Sequence, residues 1–262
     1  MTRRRDTDVS IRALDLSLAR TGRGGAPQRV VEGVSFELPH AGTLAVMGPT
    51  GSGKSSLAAA IAGDVAAGVT VVGGEAEVEG ISLRRPGRSR RLHTYLAGYL
   101  AQGAGATLPA RMTVAEVIGE PITSRDRRVN QRALAVRVAS LLDEVMLPLG
   151  SAAKYPYELS AGMRQRVAFA RALVLQPMIL VADEPFANMD VEVRQAARDA
   201  IIRRRSSFGM SVLVVTNDRD VVTELGADVL VLRNGHPVAY GHGGGELLWT
   251  PSGEADRRLV GS

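Results

Sequence analysis

Thr43-Leu-Ala-Val-Met47 runs without a break into Gly48-Pro49-Thr50-Gly51-Ser52-Gly53-Lys54-Ser55-Ser56. A short continuous apolar run marks a buried strand, and the pattern from Ser56 to Gly63 reads as a helix. Two glycines with four residues between them, followed by Lys and Ser between a strand and a helix, can form a tight loop whose backbone N–H groups wrap phosphate oxygens. The helix behind it adds its positive dipole end. Lys54 is placed to pair with the β- and γ-phosphates of a nucleotide, and the Ser55 hydroxyl to sit on Mg²⁺. The chain has only two lysines, Lys54 and Lys154, so a lysine at this point is not incidental.

Further apolar runs surround this stretch. Ile11–Leu18, Val34–Leu38, Val69–Val78 and Tyr99–Gln102 read as strands. So do Met178–Ala182, Ser211–Thr216 and a hairpin, Val229–Leu232 with Pro237–Tyr240, across Asn234-Gly235. Helical spacing covers Met112 to about Gly150, Arg164–Leu175 and Val191–Arg204. Residues 84–94 are Arg-rich and read as surface. Strands alternating with helices predict an α/β fold with a mainly parallel sheet.

The 262 residues are 45% hydrophobic and 23% charged, enough for a buried core and against intrinsic disorder. There is no cysteine, which excludes disulfides, thiol catalysis and iron–sulfur ligation, and four scattered His make no metal cluster. The formal charge of +5 suits an anionic ligand or surface without choosing between them. Met1–Asp6 is basic with no apolar segment behind it, unlike a secretory signal, and no apolar run reaches the length of a membrane span.

Two more stretches carry chemistry. Met178–Ala182 ends in Asp183-Glu184, an acid pair at a strand end. Beside a phosphate loop, Asp183 is the expected Mg²⁺ carboxylate, and Glu184 the expected general base for water. Leu159-Ser160-Ala161-Gly162-Met163-Arg164-Gln165-Arg166 begins with a residue that can cap a helix and a glycine that allows close backbone approach.

In this last stretch the chain resembles the ATP-binding subunits of ABC transporters, whose signature reads Leu-Ser-Gly-Gly-Gln, or Gly-Gly-Met-Arg-Gln-Arg in the peptide importers. Met112–Pro121 and Tyr155–Glu158 resemble the dipeptide, oligopeptide and nickel importers. The resemblance covers about residues 11–260. It implies a P-loop NTPase (RecA-like) core over 1–102 and 161–245, with an antiparallel β part. A helical signature subdomain over 103–160 and a tail over 246–262 complete the expected organisation. It also implies ATP and Mg²⁺ as ligands. Gln102 then touches Mg²⁺ and the attacking water, and Asp190 faces the dimer. Leu159, Ser160, Ala161, Gly162, Met163 and Gln165 serve ATP held by the opposite subunit. The implied partners are a second, unlike ATPase subunit, two transmembrane permease subunits and an extracytoplasmic solute-binding protein, with no nucleic acid. The implied place is peripheral, on the cytoplasmic face of the cell membrane.

The chain departs from the family pattern at several points. Asn217 stands where a switch His is usual, and Ala161 where Gly is usual. No aromatic precedes Phe36, so Leu18 or Arg20 takes the region where adenine is stacked. An Arg guanidinium can stack on a ring. These departures suggest weakened catalysis at the chain's own site. Two alternatives stay open: a soluble ABC ATPase outside transport, and a nucleotide-dependent structural partner with little hydrolysis.

Overall fold

The computed structural model describes residues 9–22 and 26–241. The tail expected over 246–262 lies outside the described residues. Two sheets share the core. The first is antiparallel, in the order β2-β1-β4-β5, from β1 (Val9–Arg20), β2 (Gln28–Pro39), β4 (Val69–Val78) and β5 (Ile81–Ser82). The second has the order β10-β9-β3-β8-β7-β6. It is built from β3 (Thr43–Met47), β6 (Ala97–Leu100), β7 (Ile179–Asp183), β8 (Ser211–Val215), β9 (Asp228–Arg233) and β10 (His236–Gly241). Its neighbours pair in parallel except β9 with β10. Every residue of β3, β7 and β8 is buried, as expected for strands covered on both faces.

Helix α1 (Lys54–Ala62) follows β3 and packs between the two sheets with Leu57, Ala58 and Ile61 in their shared core. A short helix, α2 (Arg90–Leu96), stands in the Arg-rich segment read as surface, and buries His93 against the end of α1. Between β6 and the next helix of the core lie α3 (Val114–Thr123) and α4 (Gln131–Glu144). Thr113 and Glu116 form a reciprocal capping box at the start of α3. Helix α5 (Ala161–Leu173) starts three residues before the expected Arg164, because Ser160 caps it. It shares one core with α3, α4 and α6 (Val191–Phe208). A bidentate ion pair from Arg204 to Glu144, at 2.8 and 2.6 Å, ties α6 to α4. Helix α7 (Arg219–Glu224), which the sequence pattern did not mark, joins β8 to β9.

The β9–β10 hairpin turns on Asn234 and Gly235, both at positive φ, as an Asn-Gly turn requires. It braces the loop after β3: Gly235 N–H donates to Ser52 O and Gly235 O accepts from Glu32 N–H.

Candidate active site at the carboxyl edge of the parallel sheet

The parallel register aligns Val46 with Val215, Val215 with Asp183, and Ala182 with Leu100. The residues just beyond these strand ends therefore emerge on one edge: Gly48 after β3, Asn217 after β8, Glu184 after β7 and Gln102 after β6. The carboxyl edge is where parallel sheets place their ligands.

The loop from Gly48 to Gly53 owes its shape to close packing. A Cβ on Gly48 would lie 2.0 Å from Leu232 O, and one on Gly53 2.4 Å from Val30 O. Gly53, at φ 100°, precedes α1 without any side-chain cap, which leaves first-turn N–H groups for an anion. Pro49, Thr50 and Gly51 are exposed at the loop's outer face, and Ser52 is buried beneath it. Lys54 Nζ folds over the loop and donates to Gly48 O at 2.7 Å and Pro49 O at 2.9 Å. Burial lowers the Lys54 pKa, while Asp183 and Glu184 oppose that shift. Ser56 is buried and accepts from Arg20 Nη2 at 3.1 Å.

Asp183 is 1% exposed, and neither carboxylate oxygen has a hydrogen-bond partner. Burial raises its pKa, against the Ser55 hydroxyl and the Lys54 ammonium nearby. A buried carboxylate left open beside a hydroxyl is costly unless something charged completes it. That donor set fits Mg²⁺, an oxygen-seeking cation held by one or two protein oxygens and phosphates. Ser55 and Asp183 would hold it, and it would neutralise phosphate charge. Gln102 is exposed one residue beyond Ala101, at the same edge. Because burying a charged carboxylate with so few partners is costly, Asp183→Asn should raise the melting temperature of the ligand-free chain. A relief of about 1–3 kcal/mol corresponds to several degrees, at ~2–4 °C per kcal/mol. The same change should remove the Mg²⁺ dependence of nucleotide binding. Calorimetry with and without Mg²⁺ reads both, and a lower melting temperature would show the carboxylate to be satisfied.

Glu184 is half-buried, with its backbone at φ 51° in the left-handed region and its N–H on Val215 O. A non-glycine residue there stores strain of roughly 1–2 kcal/mol. Burial raises its pKa first, then the charge of Asp183, with Lys54 and Arg194 opposing. An elevated carboxylate is a better proton acceptor. Around it, Arg194 lies 6.0 Å over the Phe186 ring and pairs with Asp218. The sequence marked the segment of Phe186 after Glu184 as unusual but gave no role to Phe186, Arg194 or Asp218. They meet only because α6 and the segment after β8 return to this edge.

At the start of α5, Ser160 accepts from Met163 N–H at 3.2 Å, and Ser160 and Ala161 are exposed. Gly162 touches the segment after Glu184: a Cβ there would lie 2.6 Å from Asn188 O. Leu159 is buried, and Met163 is half-buried. Gln165 faces inward in this chain. It is 3% exposed, accepts from Gly105 N–H and donates to Pro185 O, each at 3.4 Å. Its amide joins the segment after Gln102 to the segment after Glu184 within this chain. No hydrogen bond among the described residues joins Ser160–Gln165 to Gly48–Ser56. Asp190 is exposed and caps α6, accepting from Val193 N–H at 3.0 Å.

Asn217 is exposed, and its Oδ1 accepts the Gly48 N–H at 3.0 Å. Of the two candidates for the base, Leu18 is fully buried, whereas Arg20 is exposed at the end of β1 and reaches Ser56.

The phosphate loop, the open buried carboxylate and the adjacent glutamate on one sheet edge define a nucleotide-binding cassette. Residues 31–187 match the ABC transporter family, and the chain belongs to it. It is 35% identical over 237 residues to the oligopeptide transport ATP-binding protein OppD of Mycobacterium tuberculosis, covering 89% of this chain and 37% of that one. It is 31% identical over 215 residues to OppF of Escherichia coli, also an oligopeptide transport ATP-binding protein, covering 81% and 63%. The chain thus spans between about a third and two thirds of these relatives' lengths. Among solved structures, the dimeric ATP-binding cassette MJ0796 bound to ADP and Pi superposes with a TM-score of 0.79 at 23% identity, covering 88% of this chain and 98% of that one. This likeness supports the fold.

Proposed function

We infer that the chain is the ATP-binding subunit of an importer for peptide-type solutes. The observation that carries the ATPase part is the buried, unpartnered Asp183 carboxylate beside Lys54 and Ser55, with Glu184 next in sequence. The import part rests on the oligopeptide relatives. Loop amides and Lys54 hold the β- and γ-phosphates of ATP, and Glu184 accepts the proton of the attacking water. The exposed Ser160 and Ala161 end of α5 serves ATP bound to a second, unlike ATPase subunit. Residues 103–160 pass the motion to two permease subunits, fed by a solute-binding protein outside. No helix among the described residues is long and apolar enough to cross a membrane. In this reading the chain is held peripherally, on the cytoplasmic face, by those permeases.

A nucleotide-dependent subunit with little hydrolysis of its own is the second reading, and Asn217 favours it. The two separate by measuring ATP turnover of the purified chain and identifying the subunits that copurify from native membranes. Clear turnover by the chain alone would count against an unlike catalytic partner.

Arg20 supplies the base contact in place of an aromatic ring. A guanidinium stacked on a base contributes about 1 kcal/mol, so Arg20→Ala should weaken ATP about fivefold. The loss should be smaller for inorganic triphosphate, which has no base. Titration of both ligands checks this, and equal losses would place Arg20 on the phosphates.

A further inference from the structure

Arg84, Arg85, Arg88, Arg90 and Arg91 are all exposed, and none forms an ion pair among the described residues. The fold widens this run. Arg91 donates to Arg125 O, and Arg125 donates to Thr94 O, which brings the α3–α4 connection with exposed Arg127 and Arg128 alongside α2. Of the acids beside this run, Asp64 accepts from Ala66 N–H, Asp126 from Arg128 N–H, and Glu120 pairs with Arg171. On α2 itself, Leu92 and Tyr95 are 52% and 48% exposed. They are three residues apart, so they share one side of the helix, while His93 anchors another to Ile61 O.

This patch does not serve the nucleotide. His93 holds α2 at the far end of α1, against Gly63, whereas Lys54 begins that helix. Nine residues at 1.5 Å each put the two ends roughly 13 Å apart, beyond the ~8–10 Å over which surface charge acts in physiological salt. Unpaired arginines interleaved with an exposed leucine and tyrosine instead have the chemistry of a lipid interface. The charges meet anionic headgroups, and Leu and Tyr enter the boundary below them.

We propose that the α2 face, from Arg84 to Tyr95 with Arg127 and Arg128, docks directly on the anionic phospholipid surface of the membrane. The proposal rests on the transporter reading for the chain's place beside a bilayer, and it adds a contact made without the permeases. The test is flotation of the purified full chain with vesicles, no permease present. Vesicles of phosphatidylcholine with phosphatidylglycerol should carry the chain, and phosphatidylcholine alone should not. Added sodium chloride should release it. Each arginine replaced by glutamine should weaken binding about fivefold, and the variant lacking all five from Arg84 to Arg91 should not float. The matching Arg→Lys variant should float. Leu92→Ser with Tyr95→Ser should weaken binding with every charge kept. ATP binding by each variant controls for folding.

Equal flotation with neutral vesicles, no flotation, or flotation surviving loss of the five arginines overturns the proposal. So does displacement by duplex RNA or inorganic phosphate at matched phosphate concentration, which would make the patch a nucleic-acid or free-anion site. Failure to copurify with permeases would overturn the transporter reading and leave the vesicle result standing by itself.

Discussion

Glu184→Gln lowers ATP turnover at this chain's own phosphate loop at least a hundredfold while leaving ATP binding intact. The carboxylate is half-buried and next to Asp183, and both features raise its proton affinity. Its backbone is fixed by the Glu184 N–H bond to Val215 O and by Ala187 N–H on Glu184 O. A positioned general base is worth typically 10²–10⁴ in rate. Glutamine keeps the shape and cannot take the proton. Binding, by contrast, depends on the loop amides and Lys54, which bonds Gly48 O and Pro49 O rather than Glu184. The measurement is a single-turnover assay with protein in excess over labelled ATP, which resolves slow turnover, together with a binding titration. Hydrolysis persisting in Glu184→Gln would move the base to another residue. Loss of binding and rate together would make Glu184 a support of the loop.

Much of this site was legible because its signals are local in the chain. The run from Thr43 to Ser55, the acid pair after Ala182 and the Asn234-Gly235 hairpin each combine a strand end with residues whose backbone chemistry leaves few choices. What was not legible depends on facing. Gln165 sits in the signature, so its place in the motif pointed to a second subunit. It also lies three and four residues before the buried Ala168 and Phe169, and that helical stripe carries it inward. Strand alternation puts Leu18 and Arg20 on the same face, yet Leu18 is buried and Arg20 exposed. Arg20 is the last residue of β1, and the strand's burial stops at Ala19. Helix α2 was hidden because it is only seven residues long, opens on two arginines and buries a single side chain, His93. The contact of Gly162 with Asn188 joins positions 26 apart, and nothing in either segment alone announces it.

Asn217→His raises turnover at the same loop by about 10²–10³, the effect of restoring one preorganised transition-state donor. The reason lies in how the asparagine is used. Gly48 N–H can pair only with an acceptor, so its 3.0 Å contact fixes the Asn217 amide with oxygen toward the loop. That oxygen supports the first glycine of the phosphate loop, and only the amide nitrogen remains as a neutral donor. A histidine reaches further and can carry a positive charge toward the γ-phosphate as negative charge builds there. The gain should require Glu184, because a donor to phosphate accelerates hydrolysis only when water is also activated. Asn217→His combined with Glu184→Gln should therefore fall back to the Glu184→Gln rate. Single-turnover assays on the four proteins form a double-mutant cycle and measure the coupling directly. No gain from Asn217→His would mean that Asn217 serves this site as it stands. The second reading would then lose the observation that favours it. A gain independent of Glu184 would mean that the histidine itself acts on the water.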